Sequence, residues 1–183
     1  MKNFSKLALV ALFIASGAFV TSCNDDDDKA AEPASLYAKL GGTTMVADPN
    51  NPSQMIEQGR LSYRSVVDST ITLIVSDVLA GEEGNLGLHF APVLSEALSG
   101  NTTNFFSANT GGGATNTYSG LGMVAAHDPA QNPRMGKKSN NADYDKFIGY
   151  VGAAAGLNGV TDPELIGEVV AVLESLRAPI VQE

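Results

Sequence analysis

His127 is the residue best placed to do chemistry in this chain. It ends the stretch Tyr118-Ser119-Gly120-Leu121-Gly122-Met123-Val124-Ala125-Ala126-His127, a glycine-broken loop running into a short apolar segment, and it is one of two histidines. An imidazole is the usual proximal ligand of haem iron, and apolar neighbours such as Met123, Val124 and Ala126 can supply a dry wall beside it. A histidine in an alanine-rich turn also serves as a structural hydrogen-bonder, so its surroundings must decide between the two roles. Other chemistries lack their residues. There is no cysteine nucleophile, no histidine pair at helical spacing for zinc and no Gly-x-Ser-x-Gly elbow. The carboxylates fall mostly in an acidic run, in loops and on helix exteriors, where a solvated face is the default.

The elements that must position His127 read as helices. Thr161 to Glu164 has the form of a capping box with Pro163 in the first turn, and Leu165, Val169, Val172, Leu173 and Leu176 recur at helical spacing until Pro179. Before it, Asn141 or Ala142 to Leu157 puts Tyr144, Phe147, Ile148 and Val151 on one face, with Gly159 as a stop. The two should pack as an antiparallel pair. Ser53 to Leu79 carries Val67, Ile71, Ile74, Val75 and Val78 at helical spacing, although Ser69 to Val75 is also β-branched and alternating, as a strand would be. Leu94 to Phe106 is a further helix, and Asn109 to Asn116 reads as a turn, since it lacks the strand and spacing of a phosphate-binding loop. Asp48-Pro49-Asn50-Asn51-Pro52 and Asp128 to Asn141 are polar insertions that belong on the surface.

The N-terminal end carries its own instruction. Lys2 and Lys6 precede an apolar or small run from Leu7 to Val20, followed by Thr21, Ser22 and Cys23. Residues 1–22 form a secretory signal, and small residues before a lone cysteine resemble a bacterial lipobox, which would make Cys23 a lipidated mature N-terminus. Residues 23–34, with Asp25 to Asp28 adjacent, form a solvated acidic tether whose like charges prevent packing. It also looks like the acidic export signal of some surface lipoproteins. A membrane partner is therefore expected through the lipid at Cys23, in the cell envelope and at the outer membrane or cell surface. Removing residues 1–22 takes away two lysines and no acid, so the remainder is more negative than the −9 of the whole chain. Such a charge argues against nucleic acid and anionic lipid surfaces as partners. With one cysteine there is no internal disulfide, and residues 35–183 suffice for one domain with a real core.

Several blocks, in order, resemble the group 1 truncated haemoglobins. Leu36-Tyr37-Ala38-Lys39-Leu40-Gly41-Gly42 is similar to the family's opening motif, and Phe105-Phe106 with Gly111-Gly112-Gly113 to the end of its E helix. Tyr118-Ser119-Gly120 through His127 resembles the proximal segment, and Thr161 to Arg177 the last helix. The resemblance runs from about Ser35 to Val181. It implies an all-α fold, the truncated-globin two-over-two helical sandwich, here with surface loop insertions. It also implies haem b as cofactor and oxygen or nitric oxide as partners.

Carried over residue by residue, the resemblance makes His127 the iron ligand. Phe90, sixteen residues before Phe106 as in the family's phenylalanine pair, would wedge against the porphyrin. Leu98, Phe106, Met123, Tyr144 and Val151 would be wall residues, although helical spacing equally assigns them to an ordinary core. At the distal face the chain departs from the family. Ile71 stands where a ligand-binding tyrosine is expected, and Leu98 and Thr102 take the two E-helix positions, so only Thr102 brings a hydroxyl. Tyr63 would substitute only in a different helix register. His89, before Phe90, reads as a loop histidine or, if its turn folds inward, as a sixth iron ligand. Two functions follow: a haem-binding globin of the envelope, binding a diatomic gas or handling haem and redox chemistry, or a globin-scaffold lipoprotein without haem that acts as an interaction or structural module.

Overall fold

Ser35 begins the first helix because its hydroxyl accepts a hydrogen bond from Ala38 N at 3.2 Å, satisfying one of the free N–H groups of α1 (Leu36–Lys39). The computed structural model describes residues 32–94 and 96–183, with the side chains of 96 and 97 left aside. The expected signal peptide, Cys23 and most of the tether lie outside the described residues. The chain divides after Pro33, and the elements below belong to the unit from Ala34 to Glu183. That unit is predominantly α-helical with one small sheet.

The sheet is a departure from expectation. After Gly41 and Gly42, both at positive φ (110° and 55°), the chain enters β1 (Met45–Asp48), which pairs antiparallel with β2 (Asn51–Glu57). Met45 faces Glu57, Val46 faces Ile56 and Ala47 faces Met55, with an irregularity at Asp48. The segment read as a helix from Ser53 is thus extended as far as Glu57, and the polar insertion at Asp48 to Pro52 holds the hairpin's turn, at Pro49 and Asn50. Its cause is local and then tertiary. Asp48 Oδ1 accepts from Asn50 N at 2.8 Å, closing the turn, and Arg64 grips the same carboxylate with two bonds of 2.9 and 2.6 Å.

The long helix α2 (Gln58–Ala80) follows directly and buries Tyr63, Val67, Thr70 and Ile74 in one stripe. Its β-branched stretch is helical because that winding buries the stripe, and Thr70 and Thr72 turn their hydroxyls back to the carbonyls of Val66 and Asp68, at 2.8 and 2.9 Å. Gly81, at φ 70°, ends it. Then come α3 (Gly87–Phe90), a 3₁₀ turn over Ala91–Val93 and α4 (Glu96–Ser107). The stretch after Ser107, expected to be a plain glycine turn, winds on as a π-turn over Ala108–Gly112. Gly112 is required there, since a Cβ would stand 2.5 Å from Ser107 O.

The last helices are α5 (Met123–His127), α6 (Asn141–Leu157), α7 (Pro163–Ser175) and α8 (Arg177–Ile180). Asn140 and Asp143 form a reciprocal capping box on α6. The cap of α7 is Asp162, accepting from Glu164 N at 3.0 Å, and not Thr161. Pro179 also fails to stop the chain. It lies in the first turn of α8, where an N–H would have no intrahelical partner and its absence costs nothing.

Helix α2 packs against both α4 and α6, and α7 packs on α6. Tyr37, Ile74, Leu86, Tyr144, Ala154 and Leu173 are buried among these elements. Phe90, Phe106, Phe147 and Val151 are only half-buried although they point inward, because they border a cavity.

Candidate functional site

The cavity holds about 820 Å³, within the range of roughly 300–1,000 Å³ common to cofactor and small-molecule sites. Its walls come from α2 to α7. Phe90, Leu98, Thr102, Phe106, Met123, His127, Tyr144 and Val151 all line it, as do Ile71 and Tyr63. Residues nearly 90 positions apart in sequence are thus brought to one apolar space.

His127 sits in the last turn of α5. Its Nδ1 lies 2.8 Å from Met123 O. A carbonyl only accepts, so Nδ1 carries the hydrogen and the neutral ring keeps its lone pair on Nε2. Nε2 has no hydrogen-bond partner among the described residues. Burial holds the imidazole below its ordinary pKa, against a smaller upward pull from the Met123 carbonyl. The site therefore contains a neutral, oriented nitrogen base in an apolar wall, the form in which imidazole ligates a metal. Among the described residues no three His, Cys, Asp or Glu side chains are grouped to hold a bare ion. Among the described residues His127 thus offers a single nitrogen ligand and no closed set of protein ligands around it.

The aromatic walls explain the space. Phe90 stacks on Phe147 at 6.0 Å, and Phe147 leans on Tyr144 at 6.1 Å. Tyr63 stacks on Phe106 at 5.8 Å, and Phe105 stands edge-on to Phe106 and Tyr118. Tyr144 offers its ring alone, since its hydroxyl donates to Leu173 O at 2.6 Å. Phe147 belongs with the wall residues, and its place three after Tyr144 on one face of α6 is the pattern that would have found it.

The positions expected to face a ligand bring few donors. Ile71 and Leu98 bring none. Thr70 is committed to Val66 O, and Tyr63, although it lines the wall, exchanges its hydroxyl hydrogen bond with Thr110 Oγ1 at 2.7 Å. Thr102 has no hydrogen-bond partner among the described residues.

His89 is neither exposed nor in a free loop. It lies in the last turn of α3, is 6% exposed and also borders the cavity. Its Nε2 is 3.2 Å from Asp143 Oδ2, an ion-pair distance without hydrogen-bond alignment, and its Nδ1 is 3.5 Å from Ser139 Oγ. Burial lowers its pKa while Asp143 pulls it back up. No family model matches the chain, and no curated protein matches it.

Proposed function

We propose that this protein is a haem-binding, truncated-globin-like protein of the cell envelope, with α2 and α4 over α6 and α7 forming the two-over-two sandwich. The observation that carries the reading is His127, presenting a neutral Nε2 in the wall of an apolar cavity of cofactor size. Haem b, when bound, supplies an iron whose free position takes a diatomic gas. His127 would hold that iron, and its bond to Met123 O keeps the ring in the ligating tautomer. Phe90, Phe106, Leu98, Met123, Tyr144 and Val151 would enclose the macrocycle and exclude water. Thr102 would offer a hydroxyl near the ligand where Ile71 and Leu98 offer none, so bound dioxygen, which carries partial negative charge, gains little stabilisation. Nitric oxide needs less of it.

The charged start, apolar run and Cys23 support anchorage by lipid at the envelope. Cys23→Ser should release the protein from membrane fractions or block its processing, and quantitative membrane partition of the processed variant would remove the anchor. The decisive test of the site is titration of the purified protein with haemin. A stoichiometric Soret band is expected. Its absence would leave the fold as a haem-free interaction module.

A further inference from the structure

Behind the cavity's aromatic wall lies a second cluster. Tyr37 is 2% exposed, and a Cβ at either Gly59 or Gly112 would stand 2.9 Å from its ring, so two glycines make room for it. The phenol donates to Glu57 Oε2 at the end of β2. The same oxygen accepts from Thr115 Oγ1 at 3.0 Å and Asn116 Nδ2 at 2.9 Å, while Arg60 holds Asn116 Oδ1 at 3.1 Å. Burial pushes the Glu57 carboxyl up, but the donors from Tyr37, Asn116 and Thr115 prevail and keep it ionised below its ordinary range.

The cluster joins two spaces. Toward the interior, the Tyr37 ring stacks on Tyr63 at 6.4 Å and 17°, and Tyr63 stacks on Phe106 at 5.8 Å and 19°, both of the latter lining the cavity. Toward the exterior, Glu57 borders a polar recess of about 520 Å³ with Arg60, Arg64, Asn116 and Thr117. A phenol is hard to oxidise unless its proton has somewhere to go, because the one-electron-oxidised phenol is a strong acid. Here an ionised carboxylate receives the phenolic hydrogen bond directly, within proton-transfer reach.

We propose that Tyr37 and Glu57 form a proton-coupled electron relay between cavity and recess, giving the protein a peroxidase activity toward small organic reductants; the activity rests on the haem reading above. A hydroperoxide in the cavity gains two electrons and two protons and leaves as an alcohol and water. Each electron comes from Tyr37 by way of the Tyr63 ring, and each time the phenolic proton passes to Glu57. A reductant at the recess then returns an electron to the buried Tyr37 radical, and Glu57 hands the proton back to the phenol. Each oxidised reductant releases its own proton to water and the cavity draws one from water, so each hydroperoxide oxidises two reductant molecules by one electron.

Two arms of one experiment test this. Haem-loaded protein is mixed with hydrogen peroxide and frozen for electron paramagnetic resonance, then assayed with ascorbate. Haem-free protein is oxidised with a soluble ruthenium polypyridyl photo-oxidant and persulfate, which needs nothing in the cavity. A tyrosyl radical is expected in both arms. Tyr37→Phe should lose most of it in each, and Glu57→Gln, which keeps an acceptor but not a base, should shorten its life. Tyr63→Leu should lose it in the peroxide arm alone and slow ascorbate oxidation. Signals unchanged in Tyr37→Phe, at equal haem occupancy and melting temperature, would overturn the relay; if Tyr37→Phe does not fold, unchanged signals in Glu57→Gln would do so. A relay signal in the haem-free arm without a Soret band would keep the dyad and remove both the haem reading and the peroxidase activity.

Discussion

The two histidines border the same cavity from the ends of two short helices, and burial lowers the pKa of both, yet they are built for different work. His127 leans on a neutral carbonyl, Met123 O, which fixes the tautomer and leaves a lone pair free. His89 faces the carboxylate of Asp143, itself 3.2 Å from Lys137 Nζ and bonded to the cap of α6. A carbonyl orients an imidazole without asking it to hold a proton, whereas a carboxylate rewards the protonated ring. The partner separates a ring with a free lone pair from one set against a carboxylate, although burial keeps the pKa of both below the ordinary value.

The largest test breaks this comparison at His127. At haem concentrations about a hundredfold over Kd, linkage should stabilise the wild type by about 2.7 kcal/mol, and His127→Ala should lose nearly all of that together with the Soret band. His89→Asn should keep both. If His89→Asn loses the band and His127→Ala retains it, the roles are reversed. Ferric spectra of wild type and His89→Ala also decide whether His89 reaches the iron: identical high-spin spectra leave the sixth position open.

The next effect is the pH dependence of the haem-free protein. Both imidazoles have folded pKa values below the unfolded value, so the unfolded chain binds more protons, and stability falls as pH drops through about 6.5. Each ring contributes a slope of at most about 1.4 kcal/mol per pH unit. The carboxylate opposes the shift at His89 and only a carbonyl opposes it at His127. Denaturant melts between about pH 5 and pH 8 should therefore flatten more in His127→Asn than in His89→Asn. Equal flattening would mean that Asp143 does not distinguish the two.

What the sequence made legible followed from local spacing. Leu98 and Thr102 are four apart, and Tyr144 and Val151 seven apart, so each pair shares a helix face, and the structure turns those faces to one cavity. The stop of α6 before Gly159, with φ 76°, was likewise local. The hairpin was not, because its strands are defined by pairing between Met45 and Glu57 and by Arg64 reaching Asp48, neither of which has a periodic signature. Tyr37 and Asn116 meet across 79 residues, and the ionised Glu57 between them is one acid among many in the sequence. Asp143 as the partner of His89 was hidden for the same reason, since helix α6 must first form and dock before the two approach.

Asp143→Asn sharpens the comparison by removing the carboxylate while keeping an acceptor for the Asn140 N–H, now 3.1 Å from Asp143 Oδ2. The carboxyl pKa is raised by burial, then brought below its ordinary value by Asn140 N–H, Lys137 and His89. Its contribution is present above the unfolded value near 3.8 and lost as pH falls below it. At neutral pH the substitution should cost about 1–2 kcal/mol, through a weakened cap and an unpaired Lys137. It should also lower the pKa of His89 further, read by the ring's NMR titration. A rise in that pKa would show that Asp143 does not govern the ring.

The smallest effect belongs to Ser139, the other group at His89. Its Oγ stands 3.5 Å from Nδ1, at the outer limit of a hydrogen bond, so Ser139→Ala should cost no more than about 0.5 kcal/mol. The backbone of Ser139 is tied separately, its carbonyl accepting from Gln182 N at 2.9 Å, and that contact survives the substitution. A loss well above that bound would mean that the hydroxyl fixes the imidazole as firmly as Met123 O fixes His127. His89 would then also be an oriented neutral base, with Nδ1 donating to Ser139 and Nε2 carrying the lone pair. The contrast between the two rings would reduce to Asp143 alone, and the double variant Ser139→Ala, Asp143→Asn, measured as a cycle, would apportion the ring's orientation between them.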